Sequence, residues 1–565
     1  MNRPLSPWKN LAWLFPVVLF LIATLSNLEL PGIQDDEVYY VPPAAALLKQ
    51  QYDTDYVQID PSVIHLFGRP FPLMFNYYTS FLRTYLTLPV FALGGINVAT
   101  IRGSAIFLDA LALLFFMAFT QRLTQRAAIA MVSGIFLALD ASFVAYAHND
   151  AVALALMMAL KGIGLWALLR WWQQPPSTRG TFLYLGAFAM GLGITDRASF
   201  LWLPMALAPT LLLVCGKNRL QELFVRLRPG RRWIFALAAF AAGASVFIAF
   251  NLATLGGTFS PMASAFDNTT GGADNLDFFG NLHLRLRMLT DVLGGGYLQH
   301  FILGEISYQT RAWHFEGSPL SWLVPLAFAY FAGRSTLHFI TRTRPDRPVL
   351  LLLSMTFWIF LFTCFTPTLH RGHQLLMLYP FPHILVALFL FDVVALLRQT
   401  WLRRFVRSET WLVAGLVVLI GAAAAPAIFA YHRMLQQTGG RGVWSEANYE
   451  IVAEADRHPE RTIVCMDWGF NANLLAFTKQ PVRALRNYAN TRRSHQELAQ
   501  LFDSSHVFLL HAPEYTYIPG AREEFFAALK LGKGRVDTLR VFHQREGQPV
   551  AYLVHVRRQD AASNE

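Results

Sequence analysis

Apolar stretches of about 18 to 24 residues recur from Leu11 to Tyr431, each long enough to cross a hydrocarbon core of about 30 Å as a helix. Their positions predict spans near residues 11–30, 98–120, 127–146, 150–171, 181–195, 198–215, 233–255, 319–341, 349–366, 374–397 and 410–431. With about eleven such segments, the fold class is an α-helical polytopic membrane protein. The stretch 73–94 is also long enough to span, but it carries Asn76, Tyr77, Tyr78, Arg83 and Tyr85, and counting it would reverse the side of every later loop. It predicts an interfacial helix with its aromatic rings at headgroup level.

Beyond Tyr431 the periodicity changes. Ser445–His458 reads as a helix, Thr462–Trp468, Val507–His511, Val536–His543 and Val550–Val556 read as strands, and Ser494 with Glu497 forms a capping-box signature before another helix. The chain therefore divides into a transmembrane module, residues 1–432, and an extracytoplasmic α/β domain, residues 433–565. The module carries two long outer loops, 31–97 and 256–318; in the second, Asp267, Asn268, Gly271 and Gly272 precede an amphipathic surface helix expected over Phe279–Leu303.

Composition agrees. Of 565 residues, 54% are hydrophobic and 15% charged, against about 25% charged in an ordinary soluble domain. This excludes a soluble enzyme, a coiled coil and a disordered chain. The net charge of +11 lies between apolar runs rather than on one face, which argues against a nucleic-acid partner. The basic clusters Arg3/Lys9, Arg122/Arg126, Arg170/Arg179, Lys217–Arg232, Arg342–Arg347 and Arg398–Arg407 mark alternate loops as cytoplasmic, with the N-terminus inside and the C-terminus outside. The first apolar run lacks a small-x-small cleavage site and reads as a retained span. Cys215, Cys364 and Cys465 are too scattered for a disulfide framework. The tail has no Gly-rich phosphate loop after a strand.

Asp35-Asp36-Glu37 opens the first outer loop, and carboxylates at a membrane surface can act as general bases when their surroundings tune them. Either Asp35 or Asp36 fits that role. A second carboxylate, Asp150, follows His148-Asn149 at the outer mouth of a span. Arg102, the Asp196-Arg197 turn and His370-Arg371-Gly372-His373 bring cations to the same side. Activating a hydroxyl while stabilising a departing phosphate requires both kinds of group. A divalent cation held by Asp36, Asp150 and nearby histidines would serve the same end, but no tight ligand spacing decides it. Asp109 and Lys161 lie at similar depth near the bilayer midplane, where an isolated charge costs at least about 2.5 kcal/mol, and they are expected to pair as a structural link. Gly186, Gly191 and Gly193 are expected to permit close helix approach.

Asp36-Glu37-x-Tyr after the first span, Arg102 and Ser104 opening the second, Asp150 at the mouth of the fourth, and Thr195-Asp196-Arg197 through Pro204 together resemble the GT-C superfamily of membrane glycosyltransferases. In pattern they are most similar to protein O-mannosyltransferases and the aminoarabinose transferases that modify lipid A. The likeness covers roughly residues 1–400, and the run His373–Pro380 resembles the family's Arg-Tyr-Leu-Leu-x-x-x-Pro with His in place of Arg. The resemblance implies a polyprenyl-phosphate sugar donor and a lipid, glycan or protein acceptor on the outer face of a cytoplasmic membrane. It maps the acceptor base to Asp36, with Glu37 beside it and Asp150 as second carboxylate, and the donor-phosphate ligands to Arg371, Arg197, His373 and Arg102. Two rivals are a transporter or flippase of lipid-linked sugars, which would favour charges along a midplane path, and a non-catalytic envelope assembly subunit that binds through its tail.

Overall fold

The computed structural model describes residues 12–50, 62–228, 231–259, 277–305, 317–341, 343, 346–365, 372–399, 409–479, 482–488 and 491–558. Asp53, Asp55, Asp60, Asp267–Gly272, His370 and Arg371 lie outside them. Among the described residues, six helices are long and apolar enough to cross a membrane: Val98–Thr124, Ala151–Gln173, Ala198–Gly216, Arg347–Cys364, Phe381–Gln399 and Glu409–Thr438. The pairs Ala127–Ala138 with Ala141–Asn149, bent by 62°, and Arg232–Gly243 with Ser245–Ala253, bent by 68°, raise the number to eight if each is one span. The other expected spans form the helices Ala12–Thr24, Thr181–Asp196 and Leu320–Ile340, so every predicted segment is helical, while fewer than eleven meet the length and apolarity of an independent span.

Local signals explain several boundaries. Asn97 accepts from Thr100 N while Thr100 Oγ1 accepts from Asn97 N, so Val98–Thr124 starts on a capping box. Helices Thr181–Asp196 and Arg232–Gly243 cross where Gly191 faces Gly243: a Cβ on Gly191 would lie 2.2 Å from Phe240 O, and one on Gly243 2.3 Å from Phe188 O. Gly186 lies against Leu168 and Gly193 against Phe200, so all three glycines sit at close contacts, as expected.

Two predicted elements differ. The interfacial helix of 73–94 begins only at Leu82; before it, β3 (Met74–Asn76) and β4 (Thr79–Ser80) form a small antiparallel hairpin, preceded by the hairpin of β1 (Val63–Leu66) and β2 (Arg69–Pro72). Asn76 makes the turn between β3 and β4, its Oδ1 accepting from Tyr78 N at 3.0 Å. The span expected at 374–397 starts at Phe381, because residues Gly372–Leu378 wind as a 3-10 turn.

The last membrane helix runs on to Thr438 before the chain enters a five-stranded sheet, order β6 (Arg483–Arg486), β5 (Thr462–Cys465), β7 (His506–His511), β9 (Pro549–Arg558), β8 (Gly534–His543). β5 pairs parallel with both β6 and β7, and β9 pairs antiparallel with β7 and β8. Alternation places Ile463 and Cys465 on one face, under helices Ala447–Arg457 and Asn471–Phe477, and Val464 and Met466 on the other, under His495–Gln500 and Ala521–Leu531. The Ser494/Glu497 capping box is formed as read from the sequence.

Candidate functional site

The loop that leaves the first apolar helix carries the carboxylate cluster on the single turn Asp35–Val38, which Gln34 opens by accepting Asp36 N at 2.8 Å. The three acids have different surroundings. Asp35 is buried, and its carboxylate accepts from Gly469 N at 3.2 Å and Ala472 N at 3.0 Å in the sheet unit, and from Tyr488 Oη at 3.4 Å. Burial pushes its carboxyl up to about 6, opposed by those backbone donors. Glu37 is fully buried and grips Arg102 through both oxygens, at 2.6 Å to Nε and 3.0 Å to Nη2. Only Asp36, between them, is partly open to solvent.

Arg102 corrects an expectation. Besides Glu37 it donates to Leu28 O at 2.7 Å and Pro31 O at 3.1 Å, and it is completely buried. Its guanidinium fork thus ties the carboxylate loop to the head of Val98–Thr124 instead of facing a ligand phosphate. Glu37, expected to share the chemistry, is the other half of this tie.

Asp150 ends the bent pair in left-handed backbone, φ 48° and ψ 34°. Its carboxylate forms an ion pair with Arg83 from helix Leu82–Gly94, both side chains being buried. Burial pushes the Asp150 carboxyl up to about 7 despite Arg83. The Arg83 guanidinium also sits 4.3 Å from the Tyr40 ring centroid. Arg83 is the residue that sequence reasoning missed: it was visible as the one cation in the aromatic stretch 73–94, but its partner lies on another element.

Arg197 follows in extended backbone after the helix Thr181–Asp196 and donates to Val152 O, two residues beyond Asp150. The Arg197 Nε, the Arg83 Nε and Nη2, and both Asp196 carboxylate oxygens are buried without a hydrogen-bond partner. Tyr39 lies within electrostatic reach of Arg197, Asp196, Arg83 and Asp150, and burial raises its phenol. The structure therefore brings together Asp150, Arg83, Asp196 and Arg197 beside the carboxylate loop. A buried polar atom left unpaired costs about 1–3 kcal/mol, so the open donors of Arg83 and Arg197 suit an anionic ligand.

His373 sits half-buried on the 3-10 turn, next to Gln374, whose Oε1 accepts from Arg285 Nη2 at 3.0 Å. Arg285, from the helix Phe278–Gly294, is buried and also donates to Thr363 O at 3.1 Å. Among the described residues, no three His, Cys, Asp or Glu side chains are grouped to hold a metal ion.

The midplane pair is also corrected. Lys161 donates to Met377 O and, at 2.5 Å, to Tyr379 O, and no ion pair joins it to Asp109, although both are buried. The carbonyls released where the 3-10 turn meets Pro380 lie within its reach, so it binds backbone instead. Below it, Asp140 caps Ala141–Asn149 and accepts from Tyr379 Oη at 3.1 Å, with His383 Nε2 at 3.0 Å.

Comparison with known structures fixes the architecture. ArnT from Cupriavidus metallidurans in the apo state aligns with a TM-score of 0.59 and 14% identity over 97% of this chain and 98% of its own. The chain has the GT-C fold. The same transferase bound to undecaprenyl phosphate gives a TM-score of 0.55 and 13% identity over 97% and 98%. The Archaeoglobus fulgidus oligosaccharyltransferase, tethered to an acceptor peptide containing the NVT sequon, gives 0.51 and 13% over 94% and 69%. No family model and no curated protein matches the sequence. The GT-C likeness extends over nearly the whole chain, sheet unit included, and so further than the roughly 400 residues that the motifs covered.

Proposed function

We propose that this chain is an integral membrane glycosyltransferase that transfers a sugar from a polyprenyl-phosphate donor to an acceptor on the outer side of a cytoplasmic membrane. The observation that carries the reading is the division of labour in the carboxylate turn. Asp35 and Glu37 are buried in bonds to the scaffold, Asp36 is the partly exposed member of the turn, and Arg83 and Arg197 keep buried N–H donors unpaired. The GT-C fold, with a neighbour bound to undecaprenyl phosphate, supports a lipid-linked donor.

In this mechanism Asp36 takes the proton of the acceptor hydroxyl as its oxygen attacks the anomeric carbon, and the bond from that carbon to the lipid phosphate breaks. Charge develops on the leaving phosphate. Arg83 and Arg197, with His373 and Arg371, are assigned to stabilise it, while Asp150 holds Arg83 in place.

The test is mass spectrometry of envelope lipids, glycans and proteins from cells carrying wild-type protein or Asp36→Asn at matched membrane abundance. Loss of one sugar mass from an acceptor, with accumulation of polyprenyl-phosphate sugar, is the expected result. An unchanged envelope, where a deletion strain does show a change, would overturn the assignment and favour the transporter or assembly-subunit reading.

A further inference from the structure

The segment Pro31–Glu37 is held from two sides. Towards the membrane helices, Arg102 binds Pro31 O and Glu37. From the other side the sheet unit closes on it at van der Waals limits: a Cβ on Gly32 would lie 1.9 Å from Ser445 O, and one on Gly440 2.8 Å from Pro31 Cβ. Asn448 and Asn473 both donate to Ile33 O, at 2.7 and 3.0 Å. Each amide is steadied by a second acceptor, Val443 O for Asn448 and Gly469 O for Asn473, both at 2.9 Å. Asp35 then receives Gly469 N, Ala472 N and Tyr488 Oη. Gly469 reaches that position with φ +110°, where a Cβ would come within 3.0 Å of Val443. Asp467 fixes the same connection by accepting from Tyr517 N and Ile518 N, both at 2.9 Å.

These contacts converge on Ile33 and Asp35, which lie immediately before Asp36 in the chain, Asp35 being the first residue of the turn that bears it. A reacting group must be held within about 0.5 Å of its productive place, and a displacement of about 1 Å costs on the order of a hundredfold in rate. We infer that the C-terminal sheet unit is part of the active site: Asn448 and Asn473 are positioning residues that set the Asp36 carboxylate through Ile33 O, with Asp35 as the companion anchor. The inference rests on the reading of Asp36 as acceptor base.

The test uses the full chain with Asn448→Asp and Asn473→Asp combined, which keeps side-chain size but replaces two donors with acceptors facing a carbonyl. Hydrogen exchange of residues 31–38 is measured in detergent micelles, binding is titrated with undecaprenyl phosphate as probe, and the sugar-modified envelope product is quantified per molecule of protein in cells. Exchange is expected to rise and product to fall by about tenfold or more, while the probe's Kd stays within about twofold. Unchanged exchange or unchanged product overturns the inference, and so does a Kd that rises in step with the loss of product, which marks a general structural defect. If the double variant does not accumulate, Tyr488→Phe removes a single anchor without leaving a hole, and product is expected to fall about two- to threefold at unchanged Kd; no fall overturns the inference. The parent reading fails separately: it falls if Asp36→Asn leaves the product intact. If Asp36→Asn abolishes the product and the asparagine variants do not, only the positioning role falls.

Discussion

Arg83 and Asp150 form a buried ion pair that joins the helix Leu82–Gly94 to the turn between two membrane helices. Neither charge has water to fall back on. Removing one partner therefore leaves the other buried and uncompensated, which typically costs about 3–5 kcal/mol, whereas replacing both with apolar groups costs far less. Arg83→Met is expected to lower the unfolding free energy in detergent by about that amount and to abolish transfer. Arg83→Met with Asp150→Leu is expected to regain most of the stability but none of the activity. Regained activity would show that the pair only holds the helices together.

Arg102 invites the opposite experiment. Its four hydrogen bonds all end on the protein, two of them as a fork on Glu37. Lysine keeps the charge but cannot reproduce the fork. Arg102→Lys is therefore expected to destabilise the protein by about 1–3 kcal/mol, with the Kd for undecaprenyl phosphate in the folded fraction unchanged. A tenfold weaker Kd at wild-type stability would restore Arg102 as a phosphate ligand.

These two arginines show what the sequence could and could not reveal. The membrane helices were legible because a hydrocarbon solvent imposes a long apolar run on each of them. The carboxylate cluster was legible because acids gathered after a first apolar run are conspicuous, but that Gly469 N and Ala472 N, from the far end of the chain, bind Asp35 was not. A cation at a helix end reads alike whether it meets a ligand or a protein carboxylate, so the pairs Arg102–Glu37 and Arg83–Asp150 were not legible. In the tail, β6 and the helix Asn471–Phe477 are too short to leave a periodic trace, although Asn471–Phe477 carries the contacts to the carboxylate loop.

Asp35 gives the protein a titration of defined sign. Its carboxyl is raised from 3.8 to about 6 in the folded chain, chiefly by burial. The folded state therefore holds the proton more tightly than the unfolded state. The stability this contributes is complete below about pH 4 and is lost as pH rises through about 6. Relative to Asp35→Asn, the wild-type unfolding midpoint is expected to rise between pH 7 and pH 5. Parallel pH curves for the two proteins would show that Asp35 ionises in the folded state as it does in the unfolded chain.

The midplane lysine provides a test in which two structural accounts give different numbers. Depth alone placed Lys161 level with Asp109, and the helices that carry them do pack together, as the close approach of Gly162 to Phe115 shows. Depth, however, does not fix which way a side chain turns about its helix, and Lys161 turns towards the carbonyls of Met377 and Tyr379. Lys161→Met strips two buried carbonyls of their donor, an expected loss of about 1–3 kcal/mol for each, and it loosens the 3-10 turn that carries His373. Asp109→Asn keeps the shape of its site and is expected to change little. If the two do not interact, the double variant equals the sum of the singles within about 0.5 kcal/mol in denaturant titrations of the micellar protein. A coupling of about 2 kcal/mol or more would show that the ammonium binds Asp109 after all, and that its bonds to Met377 and Tyr379 are secondary.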